Sequence, residues 1–288
     1  MKLGFNEATG MGCSDLETDI RLCWKAGFDY LEIRLDMLHD YLLTGTFDDL
    51  RSLLEKYPIK PHALNAVYID SGLITSYQDS QLQLNELLAQ FQHVCSEAKE
   101  IGSNYVIVVP PLEKTDFSTL FRIDWKTVCK KCTDILKWMS DIACRYSVNI
   151  CFEPVGAPKS SVRSIAQANM IINLVNRLNV GFVLDAYNLY MYHMSSDYGD
   201  IATLPPEKIF AVHINNADAV KPSLEARRFC DSGVIDLGFF LSEIKKKNYQ
   251  GMVSIETFRP EYWEMTPEIV INRAYQTTHE ILEHYQCM

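Results

Sequence analysis

Four side chains able to bind a divalent cation, Glu153, Asp185, His213 and Glu256, each close an apolar run: ICFEPVG, GFVLD, FAVHINN and VSIETF. They lie 32, 28 and 43 residues apart, room for one strand and one helix per step. An apolar run ending on an acid reads as a buried strand that delivers its last side chain to the rim of a parallel sheet. Three carboxylates and one imidazole suit a single Mn²⁺, Mg²⁺, Zn²⁺ or Co²⁺ ion, with positions left for water or substrate oxygens. Each residue also has a structural reading. Glu153, between Phe152 and Pro154, could cap a neighbouring helix, Asp185 could bind loop amides, and His213 could be a hydrogen-bonded core histidine. Three clustered acids repel one another, and a shared cation offsets that repulsion.

The elements needed to position such a set recur along the chain. Patterning predicts strands over 3–8, 30–35, 62–67 and 105–109, then runs closing on Glu153 and Asp185, then 209–214 and 251–257. Between them it predicts a helix ending at Gly27 and helices over 47–57, 78–101, 123–145, 161–178, 235–247 and 267–284. Pro110 and Pro111 stop the fourth strand, since proline cannot continue a central ladder. The segment 186–199 is polar and aromatic without a clear period. The long loop 215–233 carries Arg227, Arg228 and Phe229 and reads as a lid or binding element. Eight strands with intervening helices define an α/β chain forming a single (β/α)8 TIM barrel, one domain over residues 1–288. An open doubly wound sheet is the competitor, but no G-x-G-x-x-G follows the first strand.

Further polar residues fall near the same strand ends. Asn6 and Glu7 end strand one, Glu32 and Arg34 share a side of strand two, and His62 and Asn65 lie on strand three. With Arg227 they could meet a polyhydroxylated small molecule, or serve as core ion pairs and caps.

Composition narrows the function classes. The formal charge of −10 and a pI near 5.2 oppose a nucleic-acid footprint. Lys130 with Lys131, and Lys245 to Lys247, read as solvated helix faces. Nine cysteines, scattered and odd in number, suggest free thiols in a reducing, cytoplasmic compartment. Cys129 and Cys132 form a C-x-x-C inside a helical pattern, which reads as packing. MKLGFNEATG has no apolar core of a signal peptide, and no run approaches 18 apolar residues, so no membrane partner is expected. A monomer or homodimer fits all of this.

At these residues the sequence resembles the xylose-isomerase-like barrel superfamily of sugar isomerases, epimerases, dehydratases and an endonuclease. Within it the resemblance is strongest to the bacterial isomerases of 2-keto-myo-inositol in inositol catabolism. It runs through MKLGFNEAT, YLEIR, IKPHALNA, YVIVVP, NVGFVLD, the histidine of VHIN, and FRPEYWEMTPE. The resemblance implies a rim metal on Glu153, Asp185, His213 and Glu256, with Glu153 and Glu256 as the catalytic pair exchanging protons beside a metal-polarised carbonyl through an enediolate. It implies an isomerase or epimerase of an inosose or small keto sugar, and Arg227 as a contact to substrate oxygens. A dehydratase using the same metal, or a sugar-binding barrel without turnover, is the alternative. An endonuclease-like site would need a histidine-rich multimetal set at strand ends three and four, which this chain lacks. The chain departs from the resemblance where Asn188 and Tyr190 stand in place of the usual histidines, and where Asn215 and Asn216 stand in place of the usual acids; Asn188 can donate to a hydroxyl but cannot titrate near neutrality.

Overall fold

The computed structural model describes residues 1–75, 80–113, 123–219 and 223–288. Among these the strands are β1 Lys2–Asn6, β2 Tyr30–Arg34, β3 Lys60–Tyr68, β4 Tyr105–Val109, β5 Asn149–Phe152, β6 Val180–Asp185, β7 Ile209–Ile214, β8 Asn216–Ala217, β9 Arg227–Arg228 and β10 Met252–Ile255. Eight of them close a parallel barrel in the order β1-β10-β7-β6-β5-β4-β3-β2, the (β/α)8 architecture expected from the sequence. The helices are α1 Leu16–Ala26, α2 Leu35–Leu42, α3 Phe47–Lys56, α4 Gly72–Thr75, α5 Ser80–Ile101, α6 Trp125–Tyr146, α7 Ile165–Val175, α8 Ala186–His193, α9 Leu237–Lys246, α10 Pro260–Trp263 and α11 Pro267–His284.

Local chemistry sets the helix boundaries. Asp15 caps α1 by accepting from the Thr18 amide, and Gly27 ends it in the left-handed region at φ 106°. Thr46 with Asp49, and Ser164 with Gln167, form reciprocal capping boxes that start α3 and α7. The second box sits inside the helix expected from 161, which therefore begins at Ile165. The first two residues of the helix expected over 78–101 lie outside the described residues, as do residues 114–122 of the loop after β4. α2 and α8 carry no clear signal in the sequence. α8 is a short helix of mixed polarity nearly all of whose residues are covered, so it lacks an amphipathic stripe.

The two faces of the barrel wall separate cleanly. Val106, Val108, Ile150, Phe152, Phe182, Leu184, Val212, Ile214, Val253 and Ile255 join the helices in the main core. Their alternates Ile107, Val109, Cys151, Val183, Ala211 and Met252 form a small cluster inside the barrel. This period of two fixes the site: Cys151 leads to Glu153, Val183 to Asp185 and Ala211 to His213, all in the inward phase. The register agrees, with Asp185 opposite His213 and His213 opposite Ser254, so Glu256 is the next inward position on β10.

Cys129 and Cys132 are both buried in α6, and burial pushes the Cys132 thiol up to about 12. All nine cysteines are free. No helix among the described residues is long and apolar enough to cross a membrane.

Candidate metal centre

At the carboxyl end of the barrel, Glu153, Asp185, His213 and Glu256 each bring one ligand atom within 4.8 Å of the others, and all four residues are buried. Active sites of this fold sit at this face. Asp185 serves two structures at once. Its Oδ1 accepts the Asn188 amide at 2.6 Å and so starts α8, while Oδ2 accepts from Asn215 Nδ2 at 3.0 Å. The capping and ligand readings of Asp185 are therefore compatible. Glu153 Oε1 accepts from Asn188 Nδ2 at 2.7 Å. Glu256 Oε1 accepts from Asn6 Nδ2 at 2.9 Å and Asn65 Nδ2 at 3.2 Å.

His213 lies between two layers of acid. Its Nε2 is 2.8 Å from Glu32 Oε2, below the rim, and its Nδ1 faces Glu256 at 3.4 Å and Asp185 at 4.0 Å. A carboxylate on the far nitrogen is the usual way a ligating imidazole is oriented. Glu32 is held in turn by Asn6 Nδ2 at 3.1 Å.

Arg227 is buried and paired with Glu256, with Asp185 Oδ2 3.3 Å from the same Nη1. The rings of Tyr187 and Phe258 cover its guanidinium at 5.3 and 5.2 Å. It arrives there because the segment expected to be a lid folds partly into a ribbon: β8 and β9 pair antiparallel, Ala217 opposite Arg227 and Asn216 opposite Arg228. Residues 220–222 of that segment lie outside the described residues.

Burial and neighbouring charge pull the site's ionisations apart. Burial, reinforced by the Glu256 carboxylate, pushes Glu153 up to about 8. Burial also raises Asp185, with Arg227 opposing it. Burial would raise Glu256, but His213 and Arg227 outweigh it and hold Glu256 well below the usual carboxylate range. For His213 burial favours the neutral ring, yet Glu32 and Glu256 hold it well above its ordinary value. Fully ionised, as metal binding would require, the three candidate ligand carboxylates would carry three negative charges against one guanidinium. A divalent ion with a neutral His213 matches the remaining two, and the mixed oxygen and nitrogen donors suit a borderline or hard ion.

A cavity of about 390 Å³ opens beside the four candidate ligands, with Glu153 and Glu256 in its lining, within the range of roughly 300–1,000 Å³ usual for small-molecule sites. Arg34, Asn65, Asn188 and Arg227 line it, opposite an apolar wall that includes Val109, Leu112 and Phe258. Tyr68 also lines it, and nothing in the sequence singles it out; it lies on the part of β3 that runs beyond the expected strand end. Glu7, Glu32 and His62 do not line this cavity. Glu32 lies beneath it. His62 stacks on Tyr105 at 4.7 Å and lines a separate cavity with Tyr30 and Gln250, and burial lowers its pKa to about 4. His62 lies near the amino-terminal start of β3, where Tyr30, Tyr105 and Met252 at the starts of their own strands line the same cavity, and Asn65 is three residues further toward the carboxyl end.

Glu7 turns outward toward α1. It accepts the Arg34 amide at 2.8 Å and is buried near Asp19, which accepts from Ser14 Oγ at 2.6 Å. Burial pushes Asp19 up from 3.8 to about 8, and raises Glu7 well above its ordinary value. For an acid whose pKa is raised by folding, the unfolded chain releases its proton first. The neutral group's stability is present in full below pH 3.8 and is lost as pH rises toward about 8. Asp19→Asn is therefore expected to flatten that fall and to stabilise the protein at pH 8 by a few kcal/mol, since each tenfold change in proton affinity is worth about 1.4 kcal/mol. Denaturant unfolding of both proteins from pH 5 to 9 checks this, and parallel stability curves would refute it.

One backbone approach fixes α8 against β5. A Cβ at Gly156 would fall 1.9 Å from the Asn188 carbonyl oxygen and 2.7 Å from the Tyr192 nitrogen. Only glycine lets the chain leaving Glu153 pass this close to α8.

With barrel and site in place, comparison with known proteins gives the class: the Xylose isomerase-like TIM barrel family matches residues 20–281, and the chain belongs to it. The chain is 36% identical over 292 residues to the inosose isomerase of Bacillus subtilis (strain 168), with both proteins covered in full. It is 34% identical over 289 residues to the inosose isomerase of Bacillus velezensis, covering 99% of this chain and 98% of that protein. A crystal structure of IOLI protein with a binding zinc atom matches all of both chains at 36% identity and a TM-score of 0.89.

Proposed function

We propose that this one-domain barrel is a divalent-metal-dependent isomerase of an inosose, moving a proton between carbons beside the substrate carbonyl. The observation that carries this reading is the convergence of Glu153, Asp185, His213 and Glu256 next to a cavity that Glu153 and Glu256 help to line. The full-length similarity to inosose isomerases and to a zinc-bound structure supports it.

The four residues would hold the ion, which when bound polarises the substrate carbonyl and lowers the cost of the enediolate. Glu153 and Glu256 are the proton carriers: one removes the proton next to the carbonyl and the other returns it. Asn188 fixes Glu153 through Oε1, which leaves Oε2 to face the cavity. Glu256 is held on both oxygens by Asn6, Asn65 and Arg227, so its position is set before substrate arrives. Arg34 and Asn65 at the wall supply donors for ring hydroxyls, and the apolar side keeps water from the anionic intermediate.

Incubating metal-loaded and metal-stripped protein in deuterated water with a panel of inososes and ketoses tests the reading. Label uptake with unchanged product mass apart from the label, lost on stripping and regained on reloading, is the expected result. Loss of one water from the product would establish a dehydratase, and full exchange in verified metal-free protein would remove the metal from the mechanism.

A further inference from the structure

A second group of metal-ligating side chains lies outside the centre described above. His39 on α2 and His93 with Glu97 on α5 each bring one ligand atom within 4.8 Å of the others. His39 Nε2 stands 3.0 Å and His93 Nε2 3.2 Å from the same Glu97 oxygen, Oε1. His93 and Glu97 are four residues apart, so they project from one face of α5, and His39 completes the group from the neighbouring helix.

The burial pattern separates this group from an ordinary surface ion pair. The His39 and His93 side chains are 50% and 71% exposed, whereas Glu97 is only 3% exposed. Glu97 Oε2 is buried with no hydrogen-bond partner. A carboxylate so covered, with one oxygen unsatisfied and the other met by two imidazoles, is costly unless a further positive charge joins it. Around a tetrahedral ion with bonds of about 2.0–2.2 Å, neighbouring ligand atoms stand about 3.3–3.5 Å apart. The two observed separations need to open by only a few tenths of an ångström, and both imidazoles are well exposed.

We propose that His39, His93 and Glu97 form a second divalent-metal site, for a borderline ion such as Zn²⁺ or Co²⁺, with water completing the coordination. Two histidines and one glutamate with an open fourth position is a known zinc ligand set. His39 also lines the cavity mouth, so an ion here would tie α2 to α5 at the edge of the substrate entrance. None of the three residues belongs to the rim set, and the inference does not depend on the reaction proposed above.

The test compares the parent protein with His93→Ala, an exposed position outside the substrate cavity. Both are equilibrated with buffered Zn²⁺ and the bound metal is counted by mass spectrometry, and Co²⁺ titration then follows the visible bands of tetrahedral nitrogen–oxygen coordination. The variant is expected to bind one ion per chain fewer, or to bind its weaker ion at least tenfold less tightly, while its catalytic exchange is unchanged. His39→Ala should remove the same equivalent. Equal stoichiometry and affinity in the parent and both variants would overturn the proposal, whatever the rim centre binds.

Discussion

Glu153→Gln and Glu256→Gln are each expected to slow proton exchange at the carbon beside the carbonyl by about 10²- to 10⁴-fold, the usual cost of losing a positioned acid or base. Glutamine keeps the shape and one acceptor oxygen, so Asn188 can still donate at position 153 and Asn6 at position 256. The fold should survive in both, as near-parental circular dichroism and a cooperative melt would show. The two variants should differ in metal binding. Glu256 is gripped by four groups, so its loss disturbs Asn6, Asn65, His213 and Arg227 together, whereas among the described residues the Glu153 carboxylate has one hydrogen-bond partner, Asn188. Exchange measured with saturating metal separates lost chemistry from lost ion. Turnover unchanged in both variants would refute the proton-carrier assignment and leave the site a binding pocket.

Arg227→Met is expected to destabilise the protein by about 3–5 kcal/mol, because it leaves two buried carboxylates without their partner. Methionine roughly fills the space between Tyr187 and Phe258, so the loss reports charge more than a cavity. Asp185 and Glu256 then keep only His213 as a cationic neighbour, and the deficit should grow as pH rises and the acids are driven to ionise. Divalent metal should restore part of the stability, about 2.7 kcal/mol at a hundredfold excess over the dissociation constant. Urea unfolding with and without Zn²⁺ measures both effects. A loss under about 1 kcal/mol at pH 8, the level of an exposed ion pair, would mean that the guanidinium does not neutralise this cluster.

The fold and the clustering of the four candidate ligands are readable in the sequence for one physical reason: a parallel barrel strand is covered on both faces, so it appears as an apolar run, and a charge at its end stands out. Phe152 before Glu153 and Leu184 before Asp185 are such cases. What lies one layer away is less legible. Glu32 and His62 share strands with Arg34 and Asn65, yet they lie two and three residues nearer the amino-terminal end, and the depth at which a strand meets the cavity leaves no mark in residue type. Glu7 follows Asn6 directly, and the chain's turn after β1 sends it toward α1 instead of the rim. Arg227 can be picked out of a long loop, but not its burial, which depends on a two-residue ribbon too short to show a period. α8 is hidden because its cap is Asp185 itself, a residue already accounted for as a ligand.

Gly156 bears on how the pocket can be redesigned. Because the chain after Glu153 passes against the backbone of Asn188 and Tyr192, the β5 loop and α8 behave as one interchangeable part. Histidine could be placed at position 188 to imitate related pockets, but transplanting α8 from another barrel onto a loop with any side chain at 156 would push the helix off the rim. A redesign of the pocket therefore has to exchange the two together, and a library that varies α8 should hold position 156 as glycine.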